Sequence, residues 1–287
     1  MEQGVLDLRP LPRIQRLTIV TRTWANIRRV PLRENTGTVR RGNPNFALKK
    51  ATQICILLSI QKAISSLSFY ALVGLGIQLS DFGPSKQGFF PPFNIKDLCL
   101  RAVFSLQWVW DTYFILNLCH HVLALIFVAA LRWDLPEEWP PLFGSMTEAY
   151  SLLRFWGIFW QRLHVVPFEL FMPELLVSSH QKTRGQRGTL SGACRGPLRA
   201  LWMFTLSALC HTAVNWIVLG QGGAIHELRF FLSNFCICLV EKSVAPWFKK
   251  IPGITILQFL SYIWVIIVFL CLVPNWRYPL ILAELVQ

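Results

Sequence analysis

The chain has 287 residues, of which 53% are hydrophobic and only 15% charged, and its mean hydropathy is +0.43. A soluble domain carries about 25% charged residues, so this chain lacks the polar surface to cover a globule of its size and is expected to live in a bilayer. Its formal net charge of +13 is uneven: eleven of the 28 Lys and Arg fall in residues 1–50, and seven more lie between Arg154 and Arg199. Basic residues crowded beside apolar spans read as a positive-inside signal and as attraction to anionic headgroups. No aromatic-basic recognition motif accompanies them, which argues against a nucleic-acid partner.

In chain order, residues 10–30 carry Ile14, Leu17, Val20, Trp24 and Ile27 at helical spacing with Arg13, Arg16, Arg22, Arg28 and Arg29 between them. That pattern predicts a helix lying in the headgroup plane. The first 50 residues hold no long apolar run, so a cleaved signal peptide is not expected. Residues 1–50 therefore read as a basic cytosolic or interfacial amphipathic segment, and residues 51–287 as a membrane domain.

Membrane-span candidates follow at 52–79, at 98–132, a longer helical stretch whose apolar end Leu116 to Leu131 is the membrane portion, and at 198–220, 228–246 and 254–273, to make a set of about five near the ~20 residues that a bilayer requires. No alternating strand-type runs separate them. The expected fold class is an all-α polytopic membrane bundle of about five transmembrane helices plus interfacial helices. With a cytosolic N-terminus, the basic run Lys182, Arg184, Arg187 and Arg195 returns to the cytosol. The loop 220–224, without Lys or Arg, faces the lumen. The expected location is a multi-pass protein of the endoplasmic reticulum. Eight cysteines without CxxC spacing read as free thiols, so neither a metal site nor a disulfide framework is expected.

The segment 133–180 is too polar to cross lipid unaided. Its four tryptophans and a mixed helix over Thr147–Val166 must lie in the interface or line an internal cavity. Two constellations could carry chemistry. In the span 198–220, His211 stands with Ser207 at i−4 and Asn215 at i+4, one polar stripe on an apolar helix. Such a His is either a functional group or a hydrogen-bonded bridge between helices. In the run Ser151 to His164, Phe155, Trp156, Phe159 and Trp160 form an aromatic wall edged by Gln161 and His164, suited to packing or to a substrate box. Arg154 and Arg162, eight apart, would either reach a phosphate or stay solvated.

Two tracts carry a resemblance. Glu138-Trp-Pro-Pro-Leu-Phe-Gly-Ser followed by Tyr150-Ser-Leu-Leu-Arg-Phe-Trp-Gly-Ile-Phe-Trp-Gln161, and then Phe204-Thr-Leu-Ser-Ala-Leu-Cys-His211, resemble the wax-synthase-like branch of the membrane-bound O-acyltransferases. In that branch a tract S-L-R-x-F-W-G-R-x-W-[H/N] precedes a membrane helix F-x-x-S-G-x-x-H. Here Gln161 stands where His or Asn is usual, Ile158 where Arg is common, and Ala208 where Gly is. Within the family the sequence is similar to fungal acetyltransferases that decorate terpenoid and meroterpenoid products.

The resemblance implies acyl transfer, acetyl from acetyl-CoA, to a hydroxyl of a lipophilic alcohol. Acyl-CoA would be a co-substrate, no cofactor would be resident, and upstream biosynthetic enzymes would supply the acceptor. His211 would act as general base and Gln161 would donate to the thioester carbonyl or orient the alcohol. His164, Ser207 and Asn215 would assist. Trp156, Phe159, Trp160, Trp202 and Phe204 would contact substrate, and Arg154, Arg162, Lys182, Arg184 and Arg187 would attract the anionic acyl-CoA. Two alternatives remain at this level. One is a long-chain wax ester synthase. The other is a transporter or inactive membrane scaffold in which His211 and Glu241 serve an ion path.

Overall fold

A computed structural model describes residues 44–89, 94–173, 176, 192–220, 223–248 and 254–286. The helix expected over residues 10–30 and the run Lys182 to Arg187 lie outside the described residues. Among the described residues five long helices form the frame: α1 (Pro44–Leu75), α2 (Ile95–Ala124), α3 (Gly192–Leu219), α4 (Ala224–Phe248) and α5 (Ile254–Val286). No strand occurs among the described residues. The protein is an all-α polytopic membrane bundle.

Among the described residues, four helices are long and apolar enough to cross a membrane: Asn45–Leu75, Ile95–Ala130, Cys194–Val218 and Gln258–Leu285. The fifth expected span is the difference. Helix α4 has the length, but Glu227, Arg229, Glu241 and Lys242 dilute its apolar character. It compensates by turning Glu227 and Asn234 fully inward, where protein replaces water as their partner.

The long helices pack as an arc in which α1 lies on α2, α2 on α5, α5 on α4 and α4 on α3. Asn94 caps α2, its side chain accepting from the Asp97 N–H at 2.7 Å. Arg101, 1% exposed, ties α2 to α5. Its Nη1 donates to the Leu270 carbonyl at 3.1 Å, the carbonyl freed because Pro274, four residues on in the same helix, has no N–H to give. Its Nη2 donates to the carbonyls of Lys86 (2.5 Å) and Gly88 (3.2 Å), and Lys86 pairs with Asp97. One cationic side chain thereby closes three carbonyls at the junction of α2, α5 and the segment 76–89.

The core lies where α4 and α5 meet the segment 142–160. Leu142, Phe143, Leu152, Phe155, Phe159, Trp160, Phe230, Phe231, Val268, Phe269, Leu272 and Trp276 form one buried cluster. This cluster is the inner wall against which the site is built.

Candidate active site

Helix α3 supplies the simpler half. Ser207, His211 and Asn215 recur every four residues and line one cavity of about 1280 Å³, as i, i+4 spacing on a straight helix requires. The His211 ring is open to that cavity and packs against Phe231 (centroids 5.0 Å) and the edge of Trp276 (6.0 Å). Asn215 Nδ2 donates to Glu227 Oε1 at 2.6 Å, which fixes the amide and joins α3 to α4. Ala208, behind the stripe, is fully buried.

The second half is irregular. The continuous helix expected over Thr147–Val166 is instead four short pieces: a 3-10 turn Met146–Glu148, Leu152–Arg154, a π turn Phe155–Phe159, and Val165–Leu170. Glu241 of α4 caps Leu152–Arg154, accepting from the N–H of Leu152 (3.0 Å) and Leu153 (2.7 Å), while Ser151 Oγ accepts from the Arg154 N–H at 3.2 Å. Glu241 also accepts from Trp264 Nε1 at 2.9 Å. The π turn closes with Trp160 N–H donating to the Phe155 carbonyl at 2.7 Å, and Gly144 N–H donates to the Phe159 carbonyl at 2.8 Å. A Cβ on Gly144 would stand 2.5 Å from the Ile158 carbonyl oxygen, so only glycine permits this approach.

The wider turn divides the aromatic wall. Trp156, Trp160 and Gln161 line the cavity together with Phe204 of α3. Trp156 Nε1 donates to Asn234 Oδ1 at 3.0 Å, and its ring meets Phe204 at 5.9 Å. Phe159 stands off the wall, 4% exposed against Phe143 and Phe155 in the core. Trp202 also stands off it, because its Nε1 donates to the Phe168 carbonyl at 3.1 Å and pins Val165–Leu170 to α3. After Trp160 the chain extends, and Gln161 Oε1 accepts from the Leu163 N–H at 2.9 Å. That bond occupies the amide oxygen and leaves the NH2 group to donate.

His164 and Arg162 reach the same cavity, as do Arg199 and Glu169, which form an ion pair. Burial, then the neighbouring His211 and then Arg162, push the His164 imidazole down to about 4 from its ordinary 6.5. His164 therefore carries no charge at neutral pH. Arg154 and Arg162 do not share a helix: Arg154 pairs with Glu148 and lies over the Tyr150 ring at 4.6 Å, away from the cavity. Among the described residues no group of three or more His, Cys, Asp or Glu is arranged to hold a metal ion.

Sequence reasoning passed over Glu227 and Asn234 of α4, and weighed Glu241 only as part of an ion path, not as a group that holds the site. Glu227, Asn234 and Glu241 recur every seven residues, one face of a helix, and touch Asn215, Trp156 and the Leu152 turn respectively. The spacing was visible as a polar stripe of the same kind as Ser207, His211 and Asn215. Glu241 works as a cap in this structure.

Fold and site together describe a polytopic membrane protein with a cavity walled by aromatics and edged by two imidazoles. Residues 139–233, which include Gln161 and the Phe204–His211 tract, match the model of the Membrane bound O-acyl transferase family. The chain is 26% identical over 211 residues to the acetyltransferase nanB of Aspergillus nanangensis, covering 70% of this chain and 48% of that protein. It is 27% identical over 198 residues to the acetyltransferase ataH of Aspergillus terreus, covering 66% and 62%. To the O-Mevalon transferase yanI of Aspergillus niger it is 30% identical over 124 residues, covering 40% and 26%. The chain thus spans about half the length of the curated relatives it matches. No solved structure matches it. Over these residues the chain is similar to the membrane-bound O-acyltransferases and, among them, to fungal acetyltransferases.

Proposed function

We propose that this chain moves an acyl group, acetyl from acetyl-CoA, to a hydroxyl of a lipophilic terpenoid or related secondary metabolite. The observation that supports the reading is that Gln161 from the irregular tract and His211 from α3 line the same cavity. His211 takes the alcohol proton as the oxygen attacks the thioester carbonyl, and the carbon–sulfur bond breaks to release coenzyme A, which regains the proton. The Gln161 NH2 donates to the carbonyl oxygen as negative charge grows on it. Neutral His164 leaves the neighbourhood of His211 free of a competing cation, with Ser207 and Asn215 shaping the same edge. Trp156, Trp160 and Phe204 exclude water that would hydrolyse the thioester.

Arg162 at the cavity, with Lys182, Arg184 and Arg187 on the cytosolic side, attracts the anionic donor. In this reading the N-terminus is cytosolic, residues 1–50 form an interfacial segment, and residues 51–287 form the catalytic domain in the endoplasmic reticulum membrane. Incubating membranes with labelled acetyl-CoA and a panel of lipophilic alcohols tests it. His211→Ala should lose at least about 10²-fold in transfer, the size expected of a general base, with protein abundance unchanged. Retention of more than about a tenth of the transfer would assign His211 to structure.

A further inference from the structure

The cavity has a second polar side, far along the sequence from both tracts. Gln107 and Asp111 of α2 line it, with Gln61 of α1 beside them. They stand four residues apart and so share one face of the helix. Asp111 lies near the middle of the span Ile95–Ala130, where a carboxyl group is costly and marks a functional position. Among the described residues it is held from one side: Gln61 Nε2 reaches its Oδ1 at 3.5 Å. Gln61 is itself fixed, accepting from Trp110 Nε1 at 2.5 Å and donating to Ser65 Oγ at 3.1 Å.

Two aromatic rings set edge to face, Trp276 and Trp108, line the cavity together with this side and His211. Trp276 lies 6.0 Å from the His211 ring, and Trp108 lies 5.5 Å from Trp276. A rigid apolar molecule in this cavity meets aromatic carbon from those rings and polar groups from two separate helices, α2 and α3. The volume of about 1280 Å³ exceeds the range of roughly 300–1,000 Å³ that holds drug-sized ligands.

We propose that Asp111 and Gln107 form a second oxygen-binding subsite that selects rigid lipophilic diols. One hydroxyl sits at His211, and the other donates to the Asp111 carboxylate and accepts from the Gln107 amide. A mono-ol leaves that carboxylate without the donor it is placed to receive, and a site built around such a bond discriminates against the analogue that lacks it. The inference rests on the reading of the cavity as an alcohol-acceptor site, so its test is a binding measurement made without any acyl donor.

Tryptophan fluorescence of the purified full chain, titrated with androstanediol and with androstanol that keeps one hydroxyl, reads the subsite directly. The diol should bind about tenfold more tightly, the factor for one hydrogen bond to a charged acceptor. Asp111→Leu should bring the ratio to about one. Asp111→Asn keeps the shape and an acceptor oxygen, and should give an intermediate ratio should the leucine variant fail to fold. Equal binding in the wild type, no saturable binding of either steroid, or a ratio unchanged in the asparagine variant overturns the subsite. Labelled acetyl transfer to the diol is then measured separately. A retained binding ratio without transfer keeps the subsite and rejects the acetyltransferase reading, whereas transfer with a ratio of one does the reverse.

Discussion

Ser207, His211 and Asn215 reach the cavity from one regular helix, whereas Trp156, Trp160 and Gln161 reach it from a backbone that changes form within ten residues. The helix needs nothing outside itself to keep its stripe on one face, because 3.6-residue geometry does so. The tract holds its shape through residues distant in sequence: Glu241 caps it, Asn234 anchors Trp156, and Gly144 admits the Phe159 carbonyl. Substitutions remote from the cavity should therefore damage the tract far more than they damage α3.

Gly144→Ala should have the largest effect. Its Cβ would meet backbone atoms of Ile158 at 2.5 and 3.2 Å, and backbone cannot swing aside as a side chain can. Overpacking of this kind costs about 3 kcal/mol, which should appear as a lower Tm in detergent and a loss of recoverable folded protein. An alanine at Ala208's position on α3 is already native, so the matching insult there is Ala208→Val, which should shift helix packing without unwinding the stripe.

Glu241→Ala should come next. It removes the acceptor for two backbone N–H groups and Trp264 Nε1, of which Leu152 is buried while Leu153 and Trp264 are exposed, so the loss should be roughly 1–3 kcal/mol, for the one buried N–H left unpaired. Glu241→Gln keeps one acceptor oxygen and should lose less. Equal Tm for wild type, Gln and Ala variants would show that the tract does not depend on this cap.

Much of the fold was legible because long apolar runs leave a chain few choices in lipid. The expected span 52–79 is helix 44–75, and 254–273 opens a helix that continues to Val286. Helix α4 departs from a plain span because its polar side faces protein. The α3 stripe was legible for the same local reason. Phe159 was not: helical spacing groups it with Trp156 and Trp160, but the π turn sends it into the core. That turn depends on contacts from residues up to 89 positions away, which no local window contains. Trp202 was misjudged similarly, since its indole is committed to the Phe168 carbonyl.

The smallest effect concerns pH. His164 is held down to about 4 in the folded chain, first by burial and then by His211 and Arg162, against about 6.5 when unfolded. Between those values the unfolded chain binds a proton that the folded chain refuses. Its contribution to stability is therefore full above pH 6.5 and is lost as pH falls toward 4. Tm should decline over that window, and His164→Gln should flatten part of the decline. An unaltered slope in the variant would mean that His164 is not held neutral.

The central claim is that the irregular tract and α3 act on one reacting centre. A double-mutant cycle on labelled acetyl transfer, with Gln161→Ala, His211→Ala and both together, tests it most directly. Residues acting as one catalytic unit are strongly non-additive, so the double variant should be no slower than His211→Ala alone. If the two losses instead multiply, Gln161 and His211 work independently and the shared site is contradicted.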